Sequence, residues 1–445
     1  MAEPRRRSPL AVVAAVGAAI AVVVLVVAPI GRLIGAAAFG GGTAGLEAAL
    51  ARASVEAISN TAWTSGAVVV LAVSIGALAA LALHRLAVPG RRALRIVLLL
   101  PLLTPPFVAA LGWVQAYAPA ALTDDLFGMS VAALYGPIGI VAVLVVSSVP
   151  LALLVVGAAL DDRAEPDLDR AARASGATRA VALRTVTLPL LRPALLAASV
   201  LIFATSINAF GVPAVLGIPA GFTTITTRIY QDLVFSADDA AFRRVIVLAC
   251  LLAVAGLVVV GLFDRWSHGL VPAERTGSGS GTVSAAGERS AWIVAALLVA
   301  YLVLTTIVPF VALVLMSLTR AVGLAPLPEN LTFDNFAAVI GPRTGGAVAR
   351  SAGFAVAAAT LTLLLAGIVV ALGRRHGARA ATMAATLMFA LPGSTVAVGV
   401  LLAYGGLLRD TLLIILLAYL AKLWAVALRP IAGSVERLPR DLLYA

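Results

Sequence analysis

Apolar positions arrive in unbroken runs of about 20 residues, parted by short stretches where arginine, glycine and polar residues collect. Each run is long enough to cross roughly 30 Å of hydrocarbon as a helix. The pattern predicts ten spans, near 10–30, 62–83, 96–117, 135–160, 194–216, 245–263, 291–318, 353–372, 381–404 and 411–432. A β-barrel is excluded, because its strands alternate polar and apolar residues over about ten positions. The first run follows Arg5, Arg6 and Arg7. It is longer than the roughly 7 to 15 residues of a secretory signal core, so it reads as a retained helix with a cytoplasmic N-terminus. Composition agrees: of 445 residues 62% are hydrophobic and 12% charged, which excludes a string of water-soluble domains. The fold class expected is an all-α polytopic membrane protein.

Charge adds orientation. Thirty-two basic residues, of which Lys422 is the one lysine, face 21 acidic ones for a net +11. The arginines recur between spans, at Arg85, Arg91, Arg92 and Arg95, at Arg374, Arg375 and Arg379, and at Arg429, Arg437 and Arg440. That recurrence is the cytoplasmic-loop bias of a membrane protein, so no nucleic-acid partner is expected. Residues 161–193 carry Arg163, Arg170, Arg173, Arg179, Arg184 and Arg192. Burying all six at about 2.5–3.5 kcal/mol each would cost roughly 15–20 kcal/mol, which makes this stretch a cytoplasmic loop. By the same count Arg228, Arg243, Arg244, Arg320, Arg343 and Arg350 fall outside, against the bias.

Catalytic chemistry finds no footing. His84, His268 and His376 are scattered and Cys250 is the single cysteine, so no metal site is expected. A phosphate-binding loop needs Gly-x-x-x-x-Gly-Lys-Ser/Thr, whereas Lys422 sits between Ala421 and Leu423. Within its span Lys422 is expected to snorkel toward the cytoplasmic interface, the alternative being that it lines an anion-friendly path. No catalytic residue and no bound cofactor are expected in this chain, and energy must come from a partner. The competing class is a transporter driven by an ion gradient, but such proteins place Asp, Glu or His inside spans, and these spans hold essentially none.

The Gly/Ser-rich stretch Thr276 to Ser284 divides the chain into a first repeat, 1–266 with helices 1–6, a cytoplasmic linker, 267–290, and a second repeat, 291–445 with helices 7–10. Residues 104–112 align with 391–399, placing Pro105 over Pro392 and Gly112 over Gly399, and Asp167-Leu168 aligns with Asp441-Leu442. Proline breaking matched spans points to a translocation pathway, the alternative being a packing kink. Candidate pathway residues are Pro105, Thr205, Asn208, Pro392 and Ser394. The alignment places Ala445 inside a second copy of the 161–193 loop. The chain therefore reads as a C-terminally truncated fragment, ten helices of twelve, of about 540 residues.

Within the first loop, Arg170-Ala171-Ala172-Arg173-Ala174-Ser175-Gly176-Ala177 precedes Val186-Thr187-Leu188-Pro189. Small residues let a short helix approach another surface, and Gly176 permits a sharp turn. This spacing resembles the EAA loop of ABC importer permeases, with Arg170 where the family has Glu. The resemblance implies that Asp167, Asp169, Arg170, Ala171, Ala172, Arg173, Gly176 and Ala177 dock a homodimeric cytoplasmic ABC ATPase that carries ATP and Mg. It also implies an extracytoplasmic substrate-binding protein and a place in a bacterial inner membrane. Phe210-Gly-Val-Pro213, Leu216-Gly217 and Thr226-Thr-Arg-Ile-Tyr230 resemble fused two-domain permeases for ferric iron. Relatives of that fused plan carry thiamine, and unfused cousins carry polyamines, sulfate or phosphonates.

Overall fold

The computed structural model describes residues 9–39, 45, 47–48, 50–163, 171–172, 174–236, 238–267, 288–321, 323–372, 381, 383–385, 387–388 and 391–436. The expected linker residues 268–287 and the chain end from 437 lie outside them. Among the described residues the fold is helical, with one isolated bridge between Thr319 and Leu331.

In chain order, α1 starts at Pro9–Val22, widens into a π turn at Val23–Val27 and continues as Ala28–Phe39. Then come α2 (Arg52–Arg85), α3 (Arg91–Leu103), α4 (Pro106–Tyr117) and α5 (Pro137–Arg163). A short helix, Arg179–Ala182, and a π turn, Leu183–Thr187, lead into α6 (Leu188–Ile207), followed by α7 (Ile225–Phe235) and α8 (Asp239–Ser267). Next is α9, built from Glu288–Leu302, the π turn Val303–Ile307 and Val308–Ser317, and then α10 (Pro342–Ala371), α11 (Gly393–Leu408) and α12 (Leu413–Glu436).

Eight helices of the described residues are long and apolar enough to cross a membrane, and nine if the bent pair around Pro105 is one span. The predicted run at 381–404 meets α11, whose 16 residues fall short of a full crossing, and positions before it that are only partly described. The run at 96–117 is not straight. Arg91–Leu103 and Pro106–Phe127 meet at 103°. Thr104, which precedes a proline, is extended at ψ 124°, and Pro105 and Pro106 bring no N–H to continue the helix. Large apolar side chains such as Ile293 and Leu297 on α9 and Val356 and Leu364 on α10 are exposed, the surface that lipid requires.

Contacts group the chain into two compact units. One comprises residues 56–227 and 259–338, hence most of α2, α3 to α6 and α9. Its core gathers Val68, Ala110, Ile140, Val149, Ala152, Ala198 and Ile202. Here α2 and α5 run in the same direction and touch at Gly76, where an added Cβ would lie 2.5 Å from the Ala152 Cβ. Small residues thus bring two spans into backbone contact. The other unit comprises residues 1–55, 228–258 and 339–445, with Leu25, Val26, Ala366, Met388, Val400, Trp424 and Leu428 in its core.

The same contact is built once in each unit. In the first, α9 crosses α4 so that a Cβ on Gly112 would stand 2.9 Å from the Pro309 carbonyl oxygen. In the second, α1 crosses α11 so that a Cβ on Gly399 would stand 3.0 Å from the Pro29 carbonyl oxygen. Each proline ends a π turn and withholds the N–H that the carbonyl five residues earlier would accept. Tyrosines supply the donors, Tyr117 Oη to Leu304 O and Tyr404 Oη to Val24 O, and Trp113 Nε1 donates to Thr305 O at 3.1 Å. In hydrocarbon those carbonyls have no water to turn to, so the aromatic donors hold the crossings in register. Gly112→Ala and Gly399→Ala are each expected to lower stability in detergent by about 1–2 kcal/mol through overpacking, read as a lower thermal midpoint.

Candidate functional site

The arginine-rich loop is built around one helix end. Ser175 N donates to Ala171 O and Ala177 N to Ala172 O, both at 3.0 Å, while Gly176 takes φ +91°. The second bond skips five residues, and with a left-handed glycine between them this is a Schellman termination. The chain then restarts at once, because Thr178 accepts from the Val181 N–H at 3.3 Å and caps Arg179–Ala182. Ala171, Ala174, Ser175 and Gly176 are exposed and Ala172 and Ala177 half-buried, so a small-residue face is open to a partner. Of the expected docking residues, Asp167, Asp169, Arg170 and Arg173 lie outside the described residues.

Both ends of this loop return to the end of α2. At its start, Asp161 Oδ1 lies 3.4 Å from His84 Nδ1, and His84 Nε2 is 2.9 Å from Arg95 Nη2. At its finish, Arg85 Nη2 donates to the hydroxyl of Thr187, which is buried in the π turn before α6.

The candidate pathway residues fall at two helix breaks, one in each unit. Pro105 caps α4 at φ −54°, ψ 131°, and Pro392 caps α11 at φ −56°, ψ 146°, the same backbone turn at the aligned positions. Near Pro105, a Cβ on Gly211 would lie 2.7 Å from the Phe107 Cβ, so the start of α4 meets the chain just after Asn208. A cavity of about 370 Å³ opens beside this break, lined by Thr104, Gly112, Trp113, Ser147, Thr305 and Phe310 among others. Thr205 is exposed and donates to Ile202 O at 3.0 Å, a bond within its own helix. Asn208 Nδ2 donates to Ala204 O at 2.6 Å, while its Oδ1 and Ser206 Oγ are buried with no partner among the described residues. Ser394 Oγ, in the other unit, is in the same position.

Lys422 corrects an expectation. Instead of extending to the membrane interface, its Nζ donates to Met388 O, at 3.3 Å, and to Leu391 O. The N–H that a continuous helix would give to Met388 O belongs to residue 392, which is proline and has none. An ammonium on α12 replaces it, with its charge against the negative end of the preceding segment. Lys422→Met is expected to cost about 1–3 kcal/mol by leaving buried carbonyls unpaired, and Lys422→Arg to recover part of it, by thermal melting of the purified protein.

One polar cluster was hidden from sequence reasoning. Asp232 on α7 is 4% exposed, and Arg244 on α8 grips it through Nε to Oδ2 at 2.6 Å and Nη2 to Oδ1 at 2.8 Å. Arg228, one turn before Asp232, adds Nη2 to Oδ1 at 3.2 Å. Two of the arginines that oppose the charge bias are therefore consumed by a buried carboxylate. The i,i+4 spacing of Arg228 and Asp232 was the available signal.

Residues 72–270 match the family described as binding-protein-dependent transport system inner membrane component. A probable ABC transporter permease of Sinorhizobium fredii is 27% identical over 381 residues, 80% of this chain and 64% of its own length. A ferric transport system permease of Actinobacillus pleuropneumoniae is 30% identical over 48% of the chain and 31% of its own length. The molybdenum transport system permease of Mycobacterium bovis is 33% identical over 45% of the chain and 76% of its own length. The chain thus spans less than two thirds of the first two of these relatives.

Proposed function

Because the chain belongs to the family of binding-protein-dependent ABC transport permeases, we propose that it is the membrane subunit of an importer energised by a separate ATPase. The observation that carries this reading is the exposed Ala171 to Ala177 turn, a small-residue helix end that can enter a cleft on another protein. No phosphate-binding loop occurs in the sequence, so ATP and Mg belong to the partner. We place the loop and the ends of α2 and α5 on the cytoplasmic side, with the N-terminus. The parallel run of α2 and α5 supports that placement, since both follow the same crossing direction in the topology. Rigid-body closure of two ATPase subunits against such loops would rock the spans between inward- and outward-facing states.

The repeated crossings at Gly112 and Gly399 support two fused permease repeats, each carrying one broken span. In this reading Pro105, Thr205 and Asn208 in the one unit and Pro392 and Ser394 in the other are the pathway residues of their own units, and Asn208 Oδ1 and Ser394 Oγ have no hydrogen-bond partner among the described residues. For the solute we propose ferric iron, handed over by an extracytoplasmic binding protein. Support comes from the Phe210 to Tyr230 pattern and from relatives named for ferric transport. Relatives named for molybdenum transport support a second reading, an oxyanion such as molybdate. Titrating the cognate binding protein with Fe(III) and with molybdate by calorimetry decides between them. Fe(III) binding without molybdate binding is expected, and the reverse overturns the iron assignment.

A further inference from the structure

The docking loop is anchored twice, and both anchors are on adjacent residues of one helix. Asp161, in the last turn of α5 as it enters the loop, sits beside His84, and Thr187, in the π turn by which the loop leads into α6, accepts from Arg85. The His84–Asp161 contact is exposed on the carboxylate side, 64%, and such a pair contributes little stability. Thr187 is 4% exposed, and an arginine hydrogen bond to a buried hydroxyl is the firmer of the two. His84 is itself steadied by Arg95 on α3 and packs over Gly157 of α5, where an added Cβ would lie 3.7 Å from its Nε2. The end of α2 thus touches the helix that enters the loop and the helix that leaves it. Earlier along the same helix, Gly76 meets α5 in close contact.

We infer that the His84-Arg85 end of α2 is the clamp through which displacement of the 161–187 loop reaches the membrane, with Arg85 as the positioning residue. A loop held at one end could tilt without moving a span. Held at both ends by one helix, it carries α2, α5 and α6 with it, and the joint motion is a two-state element that both the ATPase and the binding protein can bias. This rests on the importer reading above. Arg85 neither docks the ATPase nor contacts solute in this assignment, so its loss should separate docking from coupling.

The experiment uses the full chain assembled with its ATPase and binding protein in nanodiscs, comparing wild type, Arg85→Ala, Arg85→Lys and Thr187→Val. The expected result is unchanged co-purification of the ATPase and unchanged basal hydrolysis. Stimulation by the loaded binding protein should fall about tenfold in Arg85→Ala and Thr187→Val, within the ordinary range of coupling between sites. Arg85→Lys, which keeps a cationic donor, is expected to retain most of the stimulation. Equal stimulation in all four overturns the clamp, as does loss of ATPase association together with loss of stimulation, which marks a merely structural role. Failure of the wild type to bind any ATPase is a different outcome and overturns the importer reading itself. Thr187→Val preserves shape and volume, so a folding failure confined to Arg85→Ala still leaves the test readable.

Discussion

Gly176→Val is expected to detach the chain from the proposed ATPase partner while leaving the spans folded. Gly176 sits at φ +91°, in the left-handed region, where a β-branched side chain costs about 1–3 kcal/mol. The Ala177 to Ala172 bond cannot form without that turn, and the exposed end formed by Ala171, Ala174 and Ser175 loses its shape. A penalty of that size lowers docking about tenfold to a hundredfold, since about 1.4 kcal/mol is a factor of ten. Among the described residues nothing lies within 4 Å of where the new Cβ would be, so no described core contact is lost. Co-purification from detergent extracts reads the effect, with the melting midpoint of the isolated chain as control. Undiminished ATPase recovery would show that this turn is not the docking element.

Asp232→Ala acts through a different force and should be the most damaging single change to stability. It removes the carboxylate and leaves the Arg244 and Arg228 guanidiniums, 16% and 25% exposed, without their shared anion. Breaking a buried pair from one side typically costs about 3–5 kcal/mol, mostly from the charge left behind. Replacing Asp232 and Arg244 together by Leu and Met is expected to cost less than Asp232→Ala alone, because an apolar pair leaves one cation fewer buried. Thermal melts of the three proteins in one detergent test the ordering. Equal midpoints for wild type and Asp232→Ala would mean the cluster is solvated and carries no stability.

Among the described residues hydropathy located eight of the ten expected spans, and a ninth as a bent pair, because a helix in lipid must be apolar along its whole length, a property local enough to read from one window. It read 96–117 as a single run because apolarity does not sense direction, although Thr104-Pro105-Pro106 recorded the break. The turn at Gly176 was legible for the same local reason. Contacts across the chain were not. Pro309 against Gly112 is a pairing of residues 197 apart, and nothing in either run alone names the other. Lys422 was misread because the carbonyls it satisfies belong to Met388 and Leu391, on a segment whose break is visible only once Pro392 is placed. Arg244 was counted as a loop charge because its partner is twelve residues away. At the loop, small residues and glycine made a turn at a helix end legible, whereas the anchoring of its ends to His84 and Arg85 joins residues far apart in the chain.

The proposed importer role requires that solute cross only when a separate ATPase drives the chain. Uptake into proteoliposomes containing the full chain measures that directly, using radiolabelled iron presented by the binding protein, with and without ATPase subunits and internal ATP, and with imposed proton or sodium gradients. The expected result is uptake that needs ATPase, ATP and loaded binding protein together, with no response to a gradient alone. Robust gradient-driven uptake by the chain without an ATPase would contradict it.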